Sequence, residues 1–424
     1  MSGPFARGGG RVDFELRVDL VALRAERLAR VQAALRASPL DALLLWRDEN
    51  VRYLTGLRAQ IISGKSALLN GVFLADGRAP VLLCSGGEVD RVRAVMPWIE
   101  DARAIPIMEA AGLVRDAVRG TLAPLVRQAG ANAVGIDECA YAQVAELREA
   151  LPAVALHNGD PLMQTCRVRK SAGELAVMEE AAAIAEGVTA AALDAVRPGV
   201  RELDIAGEAL RALHRLGGET AHLATPFVAS GERMAPPNRM ATDKLVREGD
   251  LVFIDIGSMW NGYYSDLGRT TVCGTPSAEQ RRVYRAVHAA LQAGTAAMRA
   301  GATTTDVAAA VTGAAREHGL ADRFLSLFIG HGIGMGANEP PYVGERQPGA
   351  EEATLEEGMT LALEPLIWVP GVRGGAGVRL EDTIAVTADG GRALTRTAFD
   401  ERLLAEGRSG LSLPPRNPVW QGKT

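Results

Sequence analysis

Three things are scarce in this chain of 424 residues. Cysteine occurs four times, as Cys84, Cys139, Cys166 and Cys273, widely separated and never in the Cys-x-x-Cys spacing of a metal knuckle or redox pair. The four read as small buried apolar side chains. Positive charge is also short: 46 Lys and Arg face 51 Asp and Glu, for a net charge of −5. Such a chain has no basic surplus with which to neutralise phosphates, which argues against a nucleic-acid partner. Long apolar runs are missing as well. Nowhere do about eighteen uncharged apolar residues follow one another, and the opening MSGPFARGGG has no apolar segment of signal-peptide length. The expectation is a soluble, cytoplasmic protein that meets neither membrane nor nucleic acid.

What is present is enough apolar material, 47% of residues, for two buried cores, and a length that suits two domains. After a Gly-rich start, residues 19–37 carry apolar positions at helical spacing, and the short apolar run Ala42 to Trp46 predicts a buried strand. Val72 to Ala75 and Pro80 to Cys84 flank the turn signal Asp76-Gly77, and Ala133 to Ile136 is a further strand candidate. Residues 1–167 therefore read as a small α/β domain. A basic cluster, Arg167 to Lys170, leads into Ser171-Ala-Gly-Glu174, a capping-box pattern ahead of a long Ala-rich helix that must end by Pro198-Gly199. Residues 168–400 form the second domain and 401–424, with Pro414-Pro415, a tail. Within that domain, sliding the chain 102 positions onto itself lays Arg197, Gly199, Asp204, Ala206 and Gly217 over Arg299, Gly301, Asp306, Ala308 and Gly319. Either this is chance matching in an Ala-rich chain, or the domain is built of two related α+β halves with a ligand cleft between them.

Acidic residues stand at unexpected places in that domain. The apolar run Leu251 to Ile254 ends in Asp255, and a buried carboxylate there is costly without a partner. Asn261-Gly262 is a hairpin signal; with a two-residue loop, Gly257 faces Asp266 and places Asp255 two residues away on the same face. Two such anions call for a metal or for buried cations. His331 lies in a Gly-rich stretch, while Glu364 and Glu381 each interrupt an apolar strand. Any one of these is commonly a paired structural group. Five in one domain make a metal centre the better account.

The segments FIDIGSMWNGYYSDLGRT, GHGIGM, LALEP and GVRLEDTIAV, in this order, resemble the metal-binding segments of the creatinase, aminopeptidase P and prolidase family, and ENVRYLTG, from Glu49 to Gly56, resembles that family's N-terminal domain. The resemblance implies an α+β C-terminal pita-bread domain with pseudo-two-fold symmetry, preceded by a smaller α/β creatinase-type domain. It also implies two divalent metal ions on Asp255, Asp266, His331, Glu364 and Glu381, with Asp266 and Glu381 bridging them. Four carboxylates and one imidazole suit Mn²⁺ and accept Zn²⁺, Co²⁺ or Fe²⁺. Glu364 is then expected to relay a proton to the leaving nitrogen, and Arg379 to orient a ligand carboxylate. Members are commonly homodimers in which a neighbour closes the cleft, a role for which Asn50 and Tyr53 are candidates beside the plainer reading of a local turn and a core aromatic.

The pattern is broken at two positions. Peptidases of this family carry two further histidines, and this chain has Asn238 and Asn338 there. Asn donates a hydrogen bond to an oxyanion but cannot carry a proton. His222 is a candidate substitute, with a structural role preferred. Trp368 stands where an aromatic hydroxyl is common, and Arg373, in the loop between the two Glu-bearing strands, is the expected anchor for a substrate carboxylate. The implied activity is hydrolysis of Xaa-Pro bonds in dipeptides or short peptides. A non-peptidase small-molecule hydrolase or lyase, and a non-enzymatic binding module, are the alternatives.

Overall fold

A computed structural model describes residues 18–58, 70–106, 108, 110–223, 225–326, 328–345 and 352–406. The Gly-rich start and the Pro414-Pro415 tail lie outside these. The first helix, Leu20–Arg36, is capped by the Asp19 side chain and buries Leu23, Val31 and Leu35 against a six-stranded sheet. In that sheet the strands run in the order Asp101–Ala104, Val81–Cys84, Gly71–Ala75, Ala42–Leu45, Ala133–Ile136, Ala155–Asn158. The predicted strands and the hairpin at Asp76-Gly77 are present. Strand Ala42–Leu45 is central, antiparallel to one neighbour and parallel to the other, with all four residues buried. A strand covered by helices on both faces has no polar side, which explains its uninterrupted apolar sequence.

The second domain begins at the Ser171 capping box, which starts a helix running Ala172–Asp194. The offset of 102 residues is structural. Helices Glu202–Arg215 and Thr304–Glu317 occupy matching positions, each begins with an aspartate, Asp204 or Asp306, accepting from the N-cap backbone N–H, and each is preceded and followed by a glycine of positive φ: Gly199 at 83° with Gly301 at 85°, and Gly217 at 85° with Gly319 at 67°. Each half then adds antiparallel strands. Strand Leu251–Asp255 lies between Phe227–Ser230 and Gly268–Val272, and in the other half Thr360–Leu363 lies between Gly330–Gly332 and Asp382–Val386. Helices Ala278–Ala297 and Thr304–Glu317 pack on these sheets, burying Val283, Val287, Leu291 and Val311 with Leu251, Leu361 and Ile384.

Buried polar groups lock the two domains together. Glu339 pairs with Lys170 at 3.0 Å and Arg167 at 3.3 Å, and Arg167 also bonds Asn50. The amide of Asn50 donates to Asp137 at 2.8 Å, and the hydroxyl of Tyr53 donates to the Cys166 carbonyl at 3.1 Å. Asn50 and Tyr53 are thus buried inside their own chain, Tyr53 as the core aromatic of the plainer reading and Asn50 within the helix Asp48–Thr55 rather than in a turn, where it offsets Arg167, which would be costly there without a partner. Arg52 adds a two-pronged pair to Glu219, at 2.6 and 2.8 Å. Cys84, Cys166 and Cys273 are buried free thiols, and Cys139 is half-buried. Among the described residues no helix is long and apolar enough to cross a membrane.

Candidate metal centre

The hairpin that carries the two aspartates turns on Asn261 and Gly262, with φ of 47° and 82°, the left-handed pair that a two-residue hairpin loop requires. Its register, Ser258 with Ser265 and Trp260 with Tyr263, continues to put Gly268 opposite Asp255. Asp255 and Asp266 are therefore diagonal neighbours on one sheet face. From the other half, Glu364 and Glu381 do not sit within strands as the sequence suggested. Glu364 occupies the break between Thr360–Leu363 and Leu366–Trp368, and Glu381 the break between Gly377–Arg379 and Asp382–Val386. At these breaks the chain passes from the five-stranded sheet to a two-stranded one. A residue at a break is released from the alternation of the pleat, so both carboxylates turn toward the aspartates.

The five side chains converge. His331 Nε2 lies 3.5 Å from Glu364 and 4.0 Å from Asp266. Oxygens of Asp266 and Glu381 and a nitrogen of His331 lie within 4.8 Å of one another, as do ligand atoms of His222, Asp255 and Asp266. Asp266 is common to both groups, which is the placement a bridging carboxylate needs. All are buried: Asp255, Asp266, His331, Glu364 and Glu381 are between 1% and 4% exposed. Arg379 is the cation embedded among them, with Nη1 2.8 Å from Glu364 and 3.3 Å from Asp255. Burial alone would lower its pKa, but Glu364, Asp255 and Glu381 carry it above the usual arginine value. Burial, reinforced by the neighbouring anions, pushes Asp266 and Glu381 far above the normal carboxylate range. Burial also raises Glu364, against the pull of Arg379 and His331.

This environment fits divalent cations. One buried guanidinium stands against four carboxylates, and Asp255 Oδ1 and Glu381 Oε2 are buried with no hydrogen-bond partner among the described residues. Buried carboxylate oxygens without a hydrogen-bond donor are groups that a divalent cation would satisfy.

The two imidazoles at the centre differ in a way that decides their chemistry. Nδ1 of His331 lies 2.9 Å from the Gly332 carbonyl, which can only accept. Nδ1 therefore carries the proton, and the Nε2 lone pair is free for a metal. Nδ1 of His222 instead accepts from the Gly257 backbone N–H at 2.7 Å. A neutral His222 must then carry its proton on Nε2, 3.7 Å from Asp266 and 3.8 Å from Asp255, as a donor with no lone pair to offer. Burial lowers its pKa and keeps it neutral. Gly257 is required for this contact, since a Cβ there would stand 2.6 Å from His222 Nδ1 and 2.5 Å from the Ser265 carbonyl.

The remaining predicted residues are placed as follows. Trp368 is half-buried, packed with Phe227 and Leu325 on Met234, Phe253 and Leu366. Asn238 and Asn338 are exposed, Asn338 lining a cavity of about 280 Å³ between the domains with Asp48, Glu49 and Tyr264. Arg373 is exposed in its loop, before Gly374 and Gly375, whose backbones abut the carbonyls of Gly249 and Gly231. Arg239 was not singled out from the sequence. It feels the charges of Glu364, Asp255 and Glu381, and nothing in the local sequence signals this, because a strand lies between it and Asp255. Cavity volume does not locate the chemistry. A groove of about 660 Å³ elsewhere is lined by Arg269, Phe399 and Asp400, and Asp400 is already paired with Arg402.

Comparison with known proteins agrees with this geometry. Residues 176–388 match the model of metallopeptidase family M24, and residues 27–169 match the creatinase/prolidase N-terminal domain. A Pyrococcus furiosus protein described as an Xaa-Pro dipeptidase is 28% identical over 88% of this chain and 98% of its own length. A Bacillus subtilis uncharacterized peptidase, YqhT, is 31% identical over 84% and 94%. Among solved structures, the Xaa-Pro dipeptidase from Bacillus anthracis superposes with a TM-score of 0.75 at 26% identity, covering 89% of this chain and 99% of that one.

Proposed function

This chain belongs to metallopeptidase family M24, and from that membership we propose that it is an Xaa-Pro dipeptidase that hydrolyses the bond before proline in dipeptides and short peptides. The observation that carries the reading is the convergence of Asp255, Asp266, Glu364 and Glu381, four buried carboxylates, with a His331 whose tautomer leaves Nε2 free. A hard, anionic donor set of this kind suits two Mn²⁺ or Zn²⁺ ions, with Co²⁺ or Fe²⁺ acceptable, held by Asp255, Asp266, His331, Glu364 and Glu381. The chemistry such ions supply when bound is acidification of water and polarisation of a carbonyl.

The side chains do the rest. Glu364, whose basicity burial raises, accepts a proton and passes it to the leaving nitrogen. Arg379 holds Glu364 and Asp255 in place through its two contacts. His222 presents a fixed Nε2–H where the family's extra histidines are missing, and it stabilises negative charge developing beside Asp266 without shuttling a proton. The apolar wall of Phe227, Leu366 and Trp368 receives the prolyl ring and keeps water off it. A homodimer in the cytoplasm completes the proposal, on the family's pattern. The test is release of free proline from a panel of Xaa-Pro dipeptides by protein reconstituted with Mn²⁺ or Zn²⁺, beside Xaa-Ala controls. Turnover confined to the proline series is the expected result; no proline release with either metal, in protein that has taken up the ion, rejects it.

A further inference from the structure

A dipeptide bound at the acidic cluster must leave its terminal carboxylate close by, and that carboxylate needs a cation that the cluster itself does not use. Arg379 is 3% exposed and gives Nη1 to both Glu364 and Asp255; its Nε and Nη2 are buried without a partner among the described residues, and its one charge is already set against four carboxylates. The neighbouring Arg233 is consumed by Glu202, Thr242 and the Met240 carbonyl. Arg239 is different. It is half-buried, and among the described residues no acceptor lies within hydrogen-bonding distance of its guanidinium. Its Cζ lies 5.8 Å from the centroid of the Phe227 ring.

Phe227 links this arginine to the chemistry. Phe227 is directly opposite Asp255 in the antiparallel pair, so the two side chains share a face. On its other edge Phe227 pairs with Met240, the residue after Arg239. Asp255, Phe227 and Met240 are therefore three rungs across; Arg239 is one residue off this row, and it is its guanidinium beside the Phe227 ring that brings it toward the face of Asp255. Phe227 and Asp255 are one strand spacing apart, about 5 Å, and one residue of substrate spans about 3.8 Å from Cα to Cα, so a guanidinium beside the Phe227 ring suits a carboxylate one residue beyond the scissile bond. The wall along this path is Phe227 with Trp368, Leu325 and Leu366, apolar and able to face a pyrrolidine ring. Burial and the charge of Arg379 lower the pKa of Arg239 from its usual value, while Glu364, Asp255 and Glu381 oppose them, which fits a cation placed near the cluster and paired with none of its members.

We propose that Arg239 is the anchor for the C-terminal α-carboxylate of a substrate with exactly one residue after the scissile bond, and so sets the chain's preference for dipeptides over longer peptides. The proposal rests on the dipeptidase reading and replaces Arg373 as the anchor. Its test compares the metal-loaded full-length protein with Arg239→Gln and Arg239→Lys, each checked for equal metal content. Substrates are an Xaa-Pro dipeptide, its C-terminal amide and an Xaa-Pro-Ala tripeptide. For Arg239→Gln the expected loss in kcat/KM on the dipeptide is about 30-fold or more, mostly in KM, with amide and tripeptide changed by less than about threefold and partial recovery in the Lys variant. Calorimetry gives a second readout: free L-proline binds wild type and loses affinity in Arg239→Gln, whereas L-prolinamide does not distinguish them. Equal losses on acid and amide, or none on either, overturn the proposal. A wild type that binds proline through Arg239 yet cleaves no Xaa-Pro bond sinks the dipeptidase reading and leaves the anchor standing.

Discussion

Replacing His331 by Asn should abolish metal-linked stabilisation, whereas the same change at His222 should spare most of it, although both imidazoles lie within 4.0 Å of Asp266. The difference follows from the two Nδ1 contacts, a carbonyl acceptor at His331 and an N–H donor at His222. With free Mn²⁺ at 100 times its Kd, binding adds about 2.7 kcal/mol to the folded state, or roughly 5–11 °C in Tm for a domain of this size. Loss of a direct ligand weakens binding by about 100-fold or more, so the same free metal then only equals Kd and adds about 0.4 kcal/mol, a shift of under about 2 °C. If His222 acts only through its Nε2–H, binding weakens by about tenfold at most, and about 1.4 kcal/mol or more remains, at least half the wild-type shift. The assay is differential scanning fluorimetry of each variant with and without the ion, after chelation and dialysis, so that every variant is its own reference. A His222 variant that loses the shift while the His331 variant keeps it refutes the tautomer argument.

Two further outcomes follow from the same site. Arg379→Met leaves the Glu364 and Asp255 oxygens now 2.8 and 3.3 Å from its guanidinium without a cation. Metal-free protein should then lose about 3–5 kcal/mol in urea unfolding, with part regained on adding metal, and an unchanged midpoint in chelator would contradict the role given to Arg379. The second concerns pH. His222 has a folded-state pKa below the unfolded value of about 6.5, so the stability it contributes is full above that pH and is lost as pH falls from there through the folded value. His222→Asn should flatten this acid-side loss relative to wild type in metal-free denaturation at pH 7.5, 6.5 and 5.5; parallel curves would show that His222 does not titrate in that window.

How much of this was legible in the sequence varies with the range of the interaction. Helix starts were readable because a capping box is local: Ser171 with Glu174 marks the long helix to within a residue. The aspartate hairpin was readable for the same reason, since a two-residue loop at Asn261-Gly262 fixes register, and register fixes which side chains share a face. Glu364 and Glu381 were identified, but their placement at strand breaks was not, because a change of sheet depends on what the chain packs against.

The sequence by itself picked out the five candidate ligands and the domain order from motifs a few residues long, and offered two related halves beside chance matching. Only the tertiary structure brought the roles proposed for His222 and Arg239 into the argument. The first depends on a backbone N–H thirty-five positions away that fixes a proton on one ring nitrogen. The second depends on a strand that sets Phe227 opposite an aspartate and its ring beside an arginine. Neither proton placement nor distance across a sheet is encoded in neighbouring letters, because both are set by contacts between segments the chain brings together only on folding.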